Sequence, residues 1–177
     1  YAVSYKRKTV IIGLALGLPW FILSWIDLLI TPLSSISLIL ALLSGVSIIL
    51  FMAFTAIVIL LFVLKASQVD EDLLYGAIAI YMLIGGTWAM IYAILEEIHF
   101  SSFAIAAAHD LDGVVTWFDL LFYSFATLTT LGYGDIVPVT SPARSLAVVE
   151  AIIGVMYLAI IISRLVGIFI ATASSKQ

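Results

Sequence analysis

Long apolar runs alternate with short polar stretches along the whole chain. Four runs are long enough to form membrane-spanning helices, at about Val10–Ile30, Leu33–Leu64, Leu73–Ile98 and Ala143–Ala173. A helix rises about 1.5 Å per residue, so roughly 20 residues cross a hydrocarbon layer of about 30 Å. The pattern therefore predicts an all-α membrane protein with four transmembrane helices.

A fifth apolar segment, Trp117–Thr129, is shorter than the other four. About 13 residues cannot cross the membrane as a helix, but they suit a half-helix that enters and leaves on one side. Thr116 is a good N-cap, and Asp119 lies in the first turn, where the helix dipole favours an acid. A turn that contains two glycines follows, so we expect a re-entrant half-helix and a loop at membrane depth.

The strongest internal boundary is the polar stretch Lys65–Asp72. It divides the chain into two leading transmembrane helices, residues 1–66, and a second part, residues 67–177. In the second part we expect an outer helix at about 73–98, the half-helix at about 117–129, the turn at 130–135 and an inner helix at about 143–173. The sequence does not indicate what the leading pair does.

The composition leaves no room for a soluble domain. Hydrophobic residues make up 64% of the 177 residues and charged residues only 10%, whereas a soluble domain carries about 25% charged residues. The lack of cysteine excludes disulfides and thiolate metal sites. The sequence contains no phosphate loop, catalytic triad or nucleic-acid patch. We therefore expect a protein of the lipid bilayer that is not an enzyme and has no nucleic-acid partner.

The charge distribution predicts an orientation. Lys6, Arg7 and Lys8 precede the first apolar run, which places the N-terminus in the cytoplasm, and four crossings return the C-terminus to the same side. The outer loops then hold Arg144 as their one basic residue, against seven acids: Asp27, Glu96, Glu97, Asp110, Asp112, Asp119 and Asp135. Such a surface attracts cations, although each acid alone also suits a solvated loop.

The turn Thr130-Leu131-Gly132-Tyr133-Gly134-Asp135 has no side chain suited to covalent chemistry. Gly132 and Gly134 adopt positive φ freely, while Leu131 and Tyr133 stay near negative φ. This alternation turns successive carbonyl oxygens to one side, where they can replace the hydration shell of a cation, and the Thr130 hydroxyl adds one oxygen. One chain supplies one wall, so the turn predicts a cyclic homo-oligomer. The half-helix directs its partly negative end toward the ring centre.

These residues resemble the selectivity filter of tetrameric potassium channels, whose form is T-V-G-Y-G. The resemblance extends from about Leu73 to Ala173, and the run Ser141–Gly167 is similar to small bacterial channels with two helices ahead of the pore. It implies a homotetramer in a bacterial plasma membrane that conducts K⁺ passively and needs no cofactor. The implied ion sites are the carbonyls of Thr130, Leu131, Gly132 and Tyr133 with the Thr130 hydroxyl, and Gly134 belongs to the same filter.

The chain departs from the family pattern beside the filter. Leu131 replaces the usual valine, and Phe122, Tyr123 and Ala126 stand where many members carry two tryptophans and a glutamate. Phe122 and Ala126 cannot hold the Asp135 carboxylate, although Tyr123 could hydrogen-bond to Tyr133. We therefore expect an outer filter that is less rigidly tied, or tied differently. The expected supporting residues are Asp135, Tyr123, Thr129 and Glu150.

Three positions of the last helix are further candidates. Gly154 stands where the family has its gating hinge, and simple helix packing is the alternative. Glu150, one turn earlier, is an ionisable residue within the membrane and therefore a functional candidate; we expect it to brace the pore helix or filter, through Tyr123 or Thr127. Arg164 is compatible with three roles, which are contact with the lipid headgroups of the inner leaflet, pairing with the acids at 70–72, and a function at an inner gate.

Four other interpretations are less consistent with the sequence. Voltage sensing needs an arginine-rich helix, but no Lys or Arg occurs between Val10 and Leu64. An intramembrane aspartyl protease would use the Gly-x-Gly-Asp pattern that ends at Asp135, and it needs a second carboxylate nearby. A poorly selective cation channel remains open because of Leu131, and so does a non-conducting scaffold. A cytoplasmic regulatory domain beyond this sequence would be compatible with the pattern, which does not indicate the gating stimulus.

Overall fold

The computed structural model describes residues 2–29, 35–106 and 114–174, most of which are helical. The helices are α1 Ala2–Leu29, α2 Ser35–Lys65, α3 Glu71–Ile98, α4 Trp117–Leu128 and α5 Ser141–Ser174. Within these ranges, α1, α2, α3 and α5 are long and apolar enough to cross a membrane, and α4 is a short apolar helix. Four transmembrane helices and a half-helix are thereby confirmed. The predicted loop acids Asp110 and Asp112 lie outside the described residues.

The acidic stretch before α3 begins the helix and is not simply a loop. Asp70 is the N-cap, and its carboxylate accepts a hydrogen bond of 2.9 Å from the amide of Leu73. Glu71 and Asp72 lie in the first turn, where the partly positive end of the helix dipole stabilises acids. The outer helix therefore starts two residues earlier than the predicted Leu73, because capping and dipole favour acids at this position.

A small antiparallel sheet joins the two loops that flank α4. It pairs β1, Phe103–Ile105, with β2, Ile136–Pro138, in the register Phe103↔Pro138 and Ile105↔Ile136. One further hydrogen bond extends it, from the amide of Val139 to the carbonyl of Ser102 at 2.9 Å. The predicted all-α class is confirmed, and the structure adds one pair of short strands, which joins the segment before α4 to the segment after the glycine turn.

Residues with small side chains bring the leading helices close together. A β-carbon on Gly17 would lie 3.3 Å from the Phe51 ring of α2, and one on Gly45 would lie 3.0 Å from Ile94 of α3. The Ser47 hydroxyl also donates to the Leu16 carbonyl at 2.8 Å. Because α1 packs on α2 and α2 packs on α3, the leading pair lies against the rest of the chain. The boundary predicted at residues 66 and 67 falls in the connection between α2 and α3.

Two apolar clusters hold α3 and α5 together. The cluster beside the sheet contains Trp88, Tyr92, Phe103, Leu120, Tyr123, Ile136 and Ala143, and so includes residues of α3, α4, α5 and both strands. The cluster at the other end contains Val63, Leu73, Ala77, Ile80, Ile161 and Ile168, from α2, α3 and α5. The half-helix α4 is thus enclosed by the outer and inner helices on the side of the sheet.

Two glycines allow these helices to touch α4. A β-carbon on Gly85 of α3 would lie 2.5 Å from the Phe125 ring, and one on Gly154 of α5 would overlap the Leu128 carbonyl oxygen. Gly154 is buried, and α5 runs through it without a break from Ser141 to Ser174. In this structure Gly154 therefore serves as a packing glycine, and its role as a hinge stays a prediction.

Replacing Gly154 with alanine should destabilise the protein, because the added methyl group must displace the backbone of α4. Overpacking of this kind costs about 1–3 kcal/mol. Gly167 is a matched control in the same helix, since a β-carbon there meets nothing within 4 Å. Thermal unfolding of the purified variants in detergent would measure both effects. Equal stability of Gly154→Ala and Gly167→Ala would contradict the packing role.

Candidate functional site

The half-helix α4 begins with a capping box. The Thr116 amide donates to the Asp119 carboxylate at 2.8 Å, and the Asp119 amide donates in return to the Thr116 hydroxyl at 3.4 Å. This reciprocal pairing satisfies two amides that have no partner inside the helix. The predicted N-cap is confirmed. The Asp119 side chain therefore stabilises the start of the helix and is not simply a solvated acid.

The other end of α4 is a Schellman motif. The Thr130 amide donates to the Thr127 carbonyl at 2.9 Å, and the Leu131 amide donates to the Ala126 carbonyl at 2.8 Å. This pair of bonds places Thr130 in the left-handed position that ends such helices, with φ of 57°. Glycine usually occupies that position, and a β-branched residue there is strained. A left-handed Thr130 was not predicted from the sequence.

Positive φ alternates along the turn, at Thr130, at Gly132 with 58° and at Gly134 with 84°. Leu131 and Tyr133 are outside the positive region, as the sequence predicts. The Gly132 amide also donates to the Ala126 carbonyl, at 3.2 Å. In a trans peptide the N–H and the preceding C=O point in opposite directions. The carbonyls of Thr130 and Leu131 therefore both point away from α4, toward the same side.

These carbonyls have no partner among the described residues. Every residue from Thr129 to Gly134 is exposed, and none of the hydrogen bonds within residues 2–29, 35–106 and 114–174 is accepted by a carbonyl of Thr130, Leu131, Gly132 or Tyr133. A row of carbonyl oxygens at membrane depth needs water, protein or an ion on its open side. The arrangement can therefore coordinate a cation that has lost its water.

Neighbouring aromatic residues of α4 serve different purposes. The ring of Phe122 stacks on Tyr133, with centroids 6.0 Å apart and planes at 10°. The ring of Tyr123 is buried instead, at 5.2 Å from Tyr92 and 5.1 Å from Phe103. Successive residues of a helix face different sides, and within one chain no hydrogen bond joins Tyr123 to Tyr133. Tyr123 packs instead in the apolar cluster beside the sheet.

The outer end of the turn is tied through its backbone. The Asp135 carbonyl accepts a hydrogen bond of 2.7 Å from the Ala106 amide, and β2 begins at the next residue. Phe122 and Ala126 leave a cavity of about 30 Å³ between α4 and residues 132–136. The outer end of the turn is therefore held by the Ala106 amide and by strand pairing, in place of side chains on α4.

Glu150 joins three helices. Its side chain is fully buried, accepts a hydrogen bond of 2.5 Å from the Tyr92 hydroxyl of α3, and lies 2.5 Å from the Ser124 hydroxyl oxygen of α4. Ser124 also lies 2.8 Å from the Gly85 carbonyl. Glu150 thus braces the pore helix as expected, but the suggested partners Tyr123 and Thr127 were wrong. Tyr92 and Ser124 were missed, and their only sequence signal was a hydroxyl group within an apolar helix.

Hydroxyl groups also reach the carbonyl end of α4. The Tyr81 hydroxyl donates to the Leu128 carbonyl at 3.2 Å, next to Gly154. The Thr129 hydroxyl donates to the Phe125 carbonyl at 2.6 Å. Thr129 therefore stabilises the last turn of α4. The last carbonyls of a helix lack partners within it. Their pairing here fixes the point at which the filter begins.

Arg164 contacts backbone carbonyls at the end of α2. Its guanidinium Nη2 donates to Leu64 at 3.0 Å and to Ala66 at 3.1 Å. The considered pairing with the acids at 70–72 is therefore not observed. The partly negative C-terminal end of a helix attracts a cation, and Arg164 takes this position while Asp70 caps α3.

The half-helix α4 is held between two transmembrane helices and is followed by a turn whose unpaired carbonyls point to one side. This arrangement defines the pore loop of an ion channel. The family model described as "Ion channel" matches residues 74–171, more than half of the chain. The protein therefore belongs to this family of pore-loop potassium channels, and it is an oligomeric integral membrane protein with a transport function. No curated protein and no solved structure matches the chain significantly.

Replacing Gly132 with alanine should abolish conduction without a steric clash. A β-carbon there meets nothing of its own chain within 4 Å, so the effect within the chain comes from the positive φ. A left-handed non-glycine residue costs about 1–2 kcal/mol, which favours a turn with its carbonyls displaced. Ion flux into liposomes would measure the loss, with Gly167→Ala as the control. Undiminished flux in Gly132→Ala would contradict the role of the alternating backbone.

Proposed function

We propose that the protein is a homotetrameric channel that conducts K⁺ selectively and passively. The observation that carries the proposal is the pair of amides, Leu131 and Gly132, that share the Ala126 carbonyl and so turn two successive carbonyls away from α4. One chain offers one row of oxygens. Four rows around an axis surround a dehydrated cation with oxygen ligands on all sides.

The ion sites in this proposal are the carbonyls of Thr130, Leu131, Gly132 and Tyr133, together with the Thr130 hydroxyl. Gly134 completes the alternation of backbone angles. The end of α4 adds a partly negative charge behind the innermost site. Selectivity for K⁺ arises from the number and field strength of these oxygens, which the ion must prefer to its water shell.

The proposed channel lies in a bacterial plasma membrane with both termini in the cytoplasm. The basic cluster Lys6-Arg7-Lys8 supports this orientation. The acids of the outer side then divide into two groups. Glu96 accepts from the amides of Ser101 and Ser102 at 2.7 and 2.8 Å and is committed to the loop, as Asp119 is to α4. Among the remaining acids, Glu97 and Asp135 attract cations at the mouth.

Gating is proposed to involve α5. Bending at Gly154 would lift α5 from the Leu128 carbonyl and so couple the inner helix directly to the start of the filter. At the other end, Arg164 links α5 to the leading helices. The α1–α2 segment from Val10 to Leu64 carries no basic residue, which supports a channel that is not voltage-gated by an arginine series. A regulatory domain beyond this sequence is compatible with the proposal.

Bi-ionic reversal potentials of the purified protein in bilayers test selectivity. We expect a much higher permeability to K⁺ than to Na⁺, and the same preference in Leu131→Val, because residue 131 contributes a carbonyl and not a side chain to the pore. Equal permeabilities would exclude the selective channel and favour the poorly selective alternative.

The aspartyl-protease alternative is tested with Asp135→Asn. We expect no peptide cleavage by the unmodified protein, so the substitution should alter ion flux alone. Cleavage that disappears in Asp135→Asn would support an enzyme and contradict the channel proposal.

Replacing Arg164 with glutamine should change the open probability, because a neutral amide holds the carbonyls of Leu64 and Ala66 less strongly. Single-channel recording would measure the change. Arg164→Lys should lie between glutamine and the natural residue, since it keeps the charge without the planar fork. Arg144→Gln, on the opposite side of the membrane, is the control. An unchanged open probability in Arg164→Gln would exclude a role of Arg164 at the gate.

A further inference from the structure

Glu150 is a carboxyl group in a place where a negative charge has nothing to balance it. Its side chain is 0% exposed and lies between α3, α4 and α5. No Lys, Arg or His of the described residues pairs with it, and its titratable neighbours there are Tyr81 and Tyr92 of α3 and Tyr123 of α4. An unpaired charge is strongly disfavoured inside a protein and more so within a membrane.

The hydrogen bonds around Ser124 lead to the same conclusion by proton counting. Its hydroxyl oxygen lies 2.8 Å from the Gly85 carbonyl and 2.5 Å from Glu150 Oε1. A serine hydroxyl has one proton and can donate only once. If Ser124 donates to Gly85, which can only accept, the short contact with Glu150 needs a proton from Glu150. If Ser124 donates to Glu150 instead, two bare oxygens face each other at 2.8 Å.

We propose that Glu150 carries a proton at neutral pH and acts as a neutral positioning residue. The hydroxyl of Tyr92 donates to Glu150 Oε2, the protonated Oε1 of Glu150 donates to Ser124, and Ser124 donates to the Gly85 carbonyl. Each proton has one acceptor, and no charge is buried. The chain of bonds joins the outer, pore and inner helices at one point.

This proton has a consequence for stability that does not depend on which ion the pore selects. The folded protein holds a proton that the unfolded chain releases at neutral pH. Stability therefore falls as pH rises, because the folded state binds more protons than the unfolded state. Loss of the proton leaves a buried charge and removes the donor to Ser124. Ser124 must then turn its proton to the carboxylate, so it no longer donates to the Gly85 carbonyl of the outer helix.

Infrared spectroscopy of the purified protein tests the proton directly, without any ion gradient. We expect the carbonyl stretch of a protonated carboxylic acid at neutral pH, a shift of that band in Tyr92→Phe, and its loss in Glu150→Gln. Glu97→Gln is the matched control, since Glu97 is an exposed residue of α3, and it should keep the band. A spectrum without this band at neutral pH, or a band that survives in Glu150→Gln, would overturn the proposal.

Thermal unfolding at several pH values provides a second test. A glutamine amide donates to Ser124 and accepts from Tyr92 as the neutral acid does. Glu150→Gln should therefore match the natural protein at neutral pH and lose less stability on going to alkaline pH. If Glu150 were ionised in the natural protein, its carboxylate would accept a hydrogen bond from Ser124. The N–H₂ group of the substituted glutamine would then replace that accepting oxygen and face the donating hydroxyl. A clearly lowered melting temperature of Glu150→Gln at neutral pH, or an alkaline loss equal to that of the natural protein, would contradict the proposal.

Discussion

The structure depends on how one turn pairs its backbone amides. A backbone group at membrane depth must find a partner within the protein, or open onto water or an ion. The amides of Leu131 and Gly132 find theirs in a single carbonyl, that of Ala126. This choice leaves the carbonyls of the turn on the other side, without protein partners among the described residues. The amides of Leu131 and Gly132 are thus hydrogen-bonded to α4, whereas the carbonyls of the turn face the pore without a protein partner.

The turn can do this only if α4 is held in place, and the contacts around α4 serve that purpose. Gly85 and Gly154 let the outer and inner helices touch it, and Glu150 ties both of them to Ser124. The carbonyl end of α4 is occupied by the Tyr81 and Thr129 hydroxyls. The Schellman motif starts from that end, so the Leu128 carbonyl that α5 approaches at Gly154 lies two residues before Thr130.

The sequence predicted the features that depend on neighbours along the chain. The apolar runs gave the helices, Thr116 and Asp119 gave the start of α4, and two glycines gave part of the alternating turn. It did not predict β1 and β2, because three-residue strands carry no periodicity and their pairing joins residues more than 30 positions apart. The partners of Glu150 were missed for a related reason. Which hydroxyl faces a buried carboxyl depends on the rotation of three packed helices.

The left-handed Thr130 shows a different limit of sequence-based prediction. A β-branched residue in this conformation contradicts local preference, so only the glycines were expected to adopt it. The helix end and the ion site impose opposite requirements here. The Schellman motif favours glycine, whereas the proposed inner ion site needs a hydroxyl that glycine lacks. Local strain at a functional site persists when the surrounding contacts determine it.

The departures from the family pattern become understandable when the filter is regarded as a backbone structure. Aromatic and acidic side chains on the pore helix are one means of fixing the outer end, and this chain has Phe122 and Ala126 instead. The Ala106 amide and the β1–β2 pairing hold Asp135 through main-chain atoms. These main-chain hydrogen bonds do not depend on which side chain stands at position 131. A leucine there leaves its carbonyl in place, so the backbone geometry of the turn is set by the helix end and the strand pair.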